Sequence, residues 1–321
     1  MLEHLKKYWF LILIVIILVV GTITFSKQQI DSTFKGKKVN GKDIVFALDK
    51  EYVNADEYYE GLLPTDGGKE LYRLFERYVL TEMETSDEIK KKSAEYAKNQ
   101  VDNTSAQGSK ALGELKDAIA ASGYTNGLKD LKTLYENQAK LVLIEREYIK
   151  NNKAETAEPY MEDAKPRIVS HILIKMADAE NPTEAESKKL ADAQAALEKG
   201  DAFGDVALKF SDDTNSATQK GSLGYIDSAS NLEAVFIKAA SEVDAGETTE
   251  WFNGKNGKHI VLVEKTSFED LIEEDNFVTS VANKYQEVQK ESVLLASKDF
   301  EITFNDEETE KLLNDFIKGG N

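Results

Sequence analysis

The sequence predicts an α+β chain in which a small sheet with surrounding helices lies between two mainly helical segments, all behind an apolar N-terminal helix. Three observations lead there. Apolar residues recur three and four apart over 71–79, 131–149 and 277–288, as one buried helix face requires. Near Pro166 the texture changes to short β-branched runs such as RIVSHILIK, Arg167–Lys175, which have the composition of strands. At the front, WFLILIVIILVVGTITF, Trp9–Phe25, carries no charge.

The elements follow in order. The uncharged run of 17 residues spans roughly 25 Å as a helix, slightly short of a hydrocarbon core of about 30 Å. Tyr8 and Trp9 extend its reach at the interface. A cleaved signal peptide has a shorter apolar region and ends in small residues. This run ends in Thr22, Ile23, Thr24 and Phe25, so residues 1–26 read as an uncleaved anchor, with a cleaved signal peptide as the alternative. Lys6 and Lys7 precede it, and Lys27, Lys35, Lys37 and Lys38 follow, so the basic residues leave the orientation open. The short N-terminus favours translocation of everything after it.

Residues 27–165 form the first helical segment. Its opening, to about residue 50, reads as an extended linker entering a strand or turn, broken by Gly36 and Gly41. Leu71, Leu74, Phe75, Tyr78 and Val79 make one apolar stripe. Ser86, followed by Asp87 and Glu88, marks a helix start, and a Lys-, Ala- and Gln-rich helix follows to about Val101. Leu131, Leu134, Tyr135, Leu141, Val142, Tyr148 and Ile149 form another stripe.

Residues 166–267 read as β-α-α-β-α-β-β. After the first strand, Thr183-x-x-Glu186 is a capping box, and Gly200 suits the end of its helix. A short helix carries Phe203, Val206, Ala207 and Phe210. The polar stretch Ser211–Gly221 reads as a loop into LGYI, and Asn231–Val243 as a helix. TTEWF and HIVLVEK are the last strands, joined by a turn over Gly254–Gly257. In 268–321, Phe277, Val281, Tyr285 and Val288 share a face, FEITF (Phe300–Phe304) reads as a strand, and Thr309–Ile317 as a final helix packing with the N-terminal segment.

Composition narrows the function. Net charge is −18 over 321 residues, and such a surface repels phosphates, so no nucleic acid is expected as partner. There are no cysteines, which removes disulfides, thiolate zinc sites, thiol nucleophiles and a lipidated cysteine anchor together. The three histidines are His4, His171 and His259, and an all-histidine zinc site would need His4 from before the apolar run. No metal or other cofactor is expected.

SHILI (Ser170–Ile174), KGDAF (Lys199–Phe203), KFSDD (Lys209–Asp213), KGSLGY (Lys220–Tyr225), VFIKAASEVDAGE (Val235–Glu247) and GKHIVLVEK (Gly257–Lys265) occur in this order. They resemble the successive blocks of the parvulin peptidyl-prolyl cis/trans isomerases (rotamases). The flanks Gly67–Leu80 and Glu287–Leu313 resemble the arms of PrsA-type foldases of Gram-positive bacteria.

The resemblance implies a small mixed sheet with surrounding helices inserted between two helical chaperone segments. It implies catalytic residues at His171, His259 and Asp213, the two imidazoles facing each other beneath the prolyl bond, and a proline pocket lined by Leu223, Leu232 and Phe236. The sequence departs from the family pattern at Ser222, where an aspartate is usual, at Leu232 for methionine, at Val235 for proline, and at Asn256 for a hydroxyl residue.

From the residues alone, each histidine also reads as a buried, satisfied side chain, the three apolar residues as core, and Asp213 as a solvated loop carboxylate beside Asp212. The two histidines are expected to form one buried hydrogen-bonded unit.

The function this implies is isomerisation of X-Pro bonds by a membrane-anchored, single-pass, extracytoplasmic foldase. Its partners would be unfolded or partly folded secreted proteins, with a homodimer left open. The alternative is a holdase whose isomerase domain is a weakly active scaffold.

Overall fold

The computed structural model describes residues 38–39, 41–48, 51–54, 61, 67–304 and 306–319. The expected N-terminal anchor lies outside them. Among the described residues no helix is long and apolar enough to cross a membrane.

The chain divides into two compact units, one ending at Glu70 and the other beginning at Leu71. The first holds an antiparallel meander, β1 (Lys38–Val39), β2 (Lys42–Leu48) and β3 (Glu51–Asn54), with a bulge between Ile44 and Phe46. The expected linker is therefore already sheet from residue 38. The alternation of Ile44, Phe46 and Leu48 in the sequence is the period-two signal that a reading centred on Gly36 and Gly41 passes over.

The helices before the second sheet are α1 (Gly68–Glu82), α2 (Asp87–Ala106), α3 (Ser109–Ala121), α4 (Leu131–Asn151) and α5 (Ala157–Ala164). Ser86 caps α2 by accepting from Ile89 N at 3.2 Å, and α2 runs on past Val101 to Ala106. The buried face of α1 is Tyr72, Val79 and Leu80, while Leu74 and Tyr78 of the expected stripe stand 37% and 61% exposed. The helix has apolar residues over more than one face, so periodicity does not say which is covered. Lys140 of α4 is buried, its ammonium donating to Leu80 O at 2.7 Å and Met83 O at 2.8 Å, where it caps the last carbonyls of α1.

The second sheet has the order β5 (Ser222–Ile226), β4 (Arg167–Lys175), β7 (Gly257–Lys265), β6 (Phe252–Gly254). Every neighbouring pair is antiparallel, which corrects the mixed sheet implied by the resemblance. β5 and β7 do run in the same direction, but β4 lies between them. Central β4 is buried at all but its last residue, which explains its unbroken apolar run.

On one face Ile172, Ile174 and Ile260 pack against α6 (Glu184–Glu198) and α7 (Phe203–Phe210). On the other, Val169, Val261 and Val263 pack against Phe236 and Ala240 of α9 (Ala234–Ser241). The capping box at Thr183 forms with both its hydrogen bonds.

Four readings change. The polar stretch after Ser211 contains a one-turn helix, α8 (Thr214–Ala217). The helix expected from Asn231 begins only at Ala234, because Ser228–Ser230 turn back on Asp227. TTEWF pairs as a strand only from Phe252, with a lone bridge from Thr248 to Leu262. FEITF is not a strand, since residues 301–304 take no regular structure.

After the sheet come α10 (Phe268–Leu271), α11 (Asp275–Lys284), α12 (Gln286–Ala296) and α13 (Glu307–Ile317). Phe277, Val281 and Val288 are fully buried against Ile149, Ala157 and Tyr160, so the helical segments on either side of the sheet share one core. Leu313 and Ile317 of α13 pack on Tyr72 of α1.

Two carboxylates lie close together on α1 and α4. Glu145 of α4 is 4% exposed, and Glu76 of α1 accepts Gln289 Nε2 of α12 at 2.8 Å. Burial, and then the charge of Glu76, push Glu145 up to about 8; burial also raises Glu76. The folded chain thus holds a proton on Glu145 that the unfolded chain loses near pH 4.5. Its stabilisation is complete below that pH and fades as pH rises toward 8, by up to about 1.4 kcal/mol per pH unit. Urea unfolding at pH 5, 6.5 and 8 should show this slope, and Glu145→Gln should flatten it.

Candidate active site

The register of β4 and β7 builds the site. His171 lies opposite Val261, and Leu173 opposite His259, so the two histidines are diagonal neighbours on one face. Across the other edge of β7, Phe252 lies opposite His259. The result is a column of three rings. Phe252 and His259 stack with centroids 5.6 Å apart and 14° between planes, and His259 and His171 stack at 5.9 Å and 25°. Phe236, from α9, meets all three edge-on at 5.8–5.9 Å, the favourable arrangement for ring quadrupoles.

Two glycines permit this approach. A Cβ on Gly254 would lie 2.8 Å from His259 Cδ2 and Nε2. One on Gly221, whose φ is +86°, would lie 2.6 Å from His171 O.

Beyond its short pairing with β5, the free edge of β4 is satisfied by the loop carrying Asp212 and Asp213. His171 N donates to Gly221 O at 2.8 Å, and Asp212 N to Leu173 O at 2.7 Å. Leu173 N donates to Ser211 Oγ at 3.2 Å, and Lys175 N to Asp212 Oδ2 at 2.9 Å. Asp212 also pairs with Lys189 at 2.6 Å. Asp212 therefore holds the loop to the strand, and Asp213 turns into the cleft.

Asp213 Oδ2 accepts from His171 Nε2 at 2.8 Å and from Ser216 Oγ at 2.6 Å. This fixes the His171 proton on Nε2. Burial raises the Asp213 carboxyl, but the Ser216 and His171 bonds outweigh it and hold the group below its ordinary range. His259 is lowered, first by burial and then by the nearby His171; it is neutral at neutral pH. Both its ring nitrogens are buried without a hydrogen-bond partner. The expected hydrogen-bonded histidine pair is therefore not formed. The diagonal register sets the rings face to face, and His171 bonds to Asp213 and Ser216 instead.

All six residues singled out from the sequence line one cleft of about 430 Å³: His171, Asp213, His259, Leu223, Leu232 and Phe236. Phe236 is its floor at 4% exposure, and Leu232 its rim at 39%. Sequence reasoning missed Ser216, Phe252 and Glu233. Ser216 lies three residues after Asp213, the spacing of a local side-chain bond. Phe252 follows from the hairpin, since pairing Gly254 with Gly257 sets Phe252 against His259. Glu233 accepts from Lys255 N at 2.8 Å, a tertiary contact with no local signal.

Two outcomes follow. In NMR titrations His259 should have its midpoint below 6.5, and Glu233→Gln should lower it further, because that carboxylate raises it. Gly254→Ala should destabilise the fold by about 1–3 kcal/mol in urea unfolding, as overpacking does.

The cleft lies within a recognised family segment. Residues 171–265 match the rotamase family, the PPIC-type PPIase domain. The chain is 25% identical to the foldase protein PrsA of Oceanobacillus iheyensis over 268 residues, covering 78% of this chain and 76% of that protein. It is 26% identical to PrsA of Bacillus subtilis over 282 residues, covering 82% and 86%. A crystal structure of PrsA from Bacillus subtilis, 22% identical, aligns over 85% of this chain and 98% of its own at a TM-score of 0.46. The chain thus holds a segment that matches the PPIC-type PPIase domain, and it is similar to PrsA foldase proteins over more than three quarters of its length.

Proposed function

We propose that the cleft seats the proline ring of an X-Pro segment on Phe236, between Leu223 and Leu232, with Asp213, His171 and His259 around the rotating bond. The observation that supports it most is Phe236, a buried aromatic floor under an open rim with a carboxylate at its side.

Rotation about an X-Pro bond meets a barrier of about 18–20 kcal/mol, created by amide resonance. In the twisted imide that resonance is lost, and the carbonyl oxygen carries less negative charge. An apolar seat withdraws water that would stabilise the polar planar form. An ionised Asp213 near the carbonyl oxygen adds a field against that form. His171 holds Asp213 in place through Nε2, and neutral His259 supports His171 by stacking. No proton transfer is required.

The wider reading is that residues 1–26 anchor the chain and the remainder acts outside the membrane. Residues 166–267 are the isomerase domain, flanked by chaperone segments 27–165 and 268–321, and a homodimer is compatible with it. Clients are secreted proteins not yet folded, consistent with the foldase relatives.

A holdase role is favoured by one feature. A groove of about 680 Å³ is lined by Leu71, Leu74, Phe75, Tyr78, Phe300 and Ile302, on the helical segments. A protease-coupled assay with X-Pro peptides and the full chain separates the readings. Phe236→Ala should lower kcat/KM by about 10–100-fold and Asp213→Ala by about tenfold, the size expected for losing a buried aromatic or a charged contact. Unchanged turnover in both would remove the isomerase reading of this cleft. Intact suppression of client aggregation by an inactive Phe236→Ala chain would assign that second activity to the helical segments.

A further inference from the structure

The turn carrying the cleft's rim is held from outside the isomerase segment. Asp227 follows β5 directly and is 6% exposed. Its Oδ2 accepts from Tyr160 OH at 2.7 Å and Tyr225 OH at 2.8 Å. Its Oδ1 accepts from Ala229 N at 2.9 Å and Ser230 Oγ at 3.1 Å. Asp227 N in turn donates to Ser230 Oγ at 2.9 Å. Burial pushes this carboxyl up, but the two tyrosine bonds and the turn's own donors hold it below its ordinary range. These donors are all neutral, so each carries a large share of the stabilisation of a buried charge.

The turn runs from Asp227 to Leu232 and Glu233, both on the cleft, and then into α9 with Phe236. Tyr160 belongs to α5, before the segment that matches the isomerase family. Ser228 N also donates to Ala164 O at the end of α5, at 2.9 Å. The Tyr160 ring is itself held by Phe277 of α11, edge-on at 5.9 Å, and Phe277 meets Tyr225 at 6.3 Å. Helices on both sides of the sheet therefore converge on one carboxylate at the base of the rim turn.

We propose that Tyr160 is a positioning residue for the isomerase cleft, acting through Asp227 to fix the turn that carries Leu232. This rests on the cleft being the proline site. It makes the helical segments part of the catalytic unit, since a rim set loosely would bind the prolyl segment less well without altering the bond-rotation step.

The test uses the full chain with Tyr160→Phe, which keeps the ring and removes the donor, and Ser230→Ala, which cuts the same network from the turn side. Each should weaken the Kd of an X-Pro peptide by about 3–10-fold, a part of one charge-assisted hydrogen bond, and leave kcat within about twofold. Leu232 methyl signals should shift in both. Unchanged Kd in both folded variants would overturn the proposal, as would a fall in kcat with Kd unchanged. If Tyr160→Phe fails to fold, Ser230→Ala decides alone. An unaltered chain that neither binds nor turns over the peptide would remove the reading of the cleft itself, and with it this inference.

Discussion

The antiparallel pairing of β4 with β7 is the constraint on which the site depends. It sets Leu173 opposite His259 and Val261 opposite His171, so both imidazoles share a face with Val169 and Val263. A slip of one residue would send either histidine to the opposite face, among Ile172, Ile174 and Ile260. Burial on both sides of β4 makes such a slip costly, because each face is already filled with apolar side chains. Gly254 and Gly257 then close the hairpin tightly enough for Phe252 to reach His259.

From that register the electrostatics follow. Packing His259 between Phe252 and His171 withdraws it from water and keeps it neutral. His171 is turned toward Asp213, which also binds Ser216 and remains ionised. The cleft thus offers an apolar floor, a neutral His259 and the fixed negative charge of Asp213. That combination suits a reaction whose difficulty is the loss of amide resonance, where the environment must disfavour a polar planar state and no bond to hydrogen is made or broken. The same loop shows how neighbouring acids divide their tasks: Asp212 ties the loop to β4 and Lys189, leaving Asp213 to face the cleft.

The helical segments are more than attachments to this sheet. Phe277, Val281 and Val288 complete a core with Ile149, Ala157 and Tyr160, and Ile168 at the start of β4 belongs to it. Continuity of packing from helices to sheet gives the Asp227 turn a rigid backing. The groove beside Leu74 and Tyr78 lies elsewhere on the helical segments, between α1, α13 and residues 300–304.

Local physics made much of this chain legible. The capping box at Thr183, the cap at Ser86, the β-branched run of β4 and the hairpin at Gly254–Gly257 are interactions between residues near in sequence, and they appear where the sequence places them. The family resemblance carried by the ordered blocks also pointed to six residues that line the cleft. Other features depend on partners far along the chain. Which face of α1 is buried is decided by α13 and α4. Whether FEITF pairs as a strand is decided by whether another segment offers it an edge, and the face-to-face meeting of the histidines by strand register. The sequence by itself determined the helices, strands and chemical groups, because propensity and periodicity are local. Only the tertiary structure decided that Phe252 stacks on His259 and that Tyr160 reaches Asp227, because those contacts exist only once distant segments have packed.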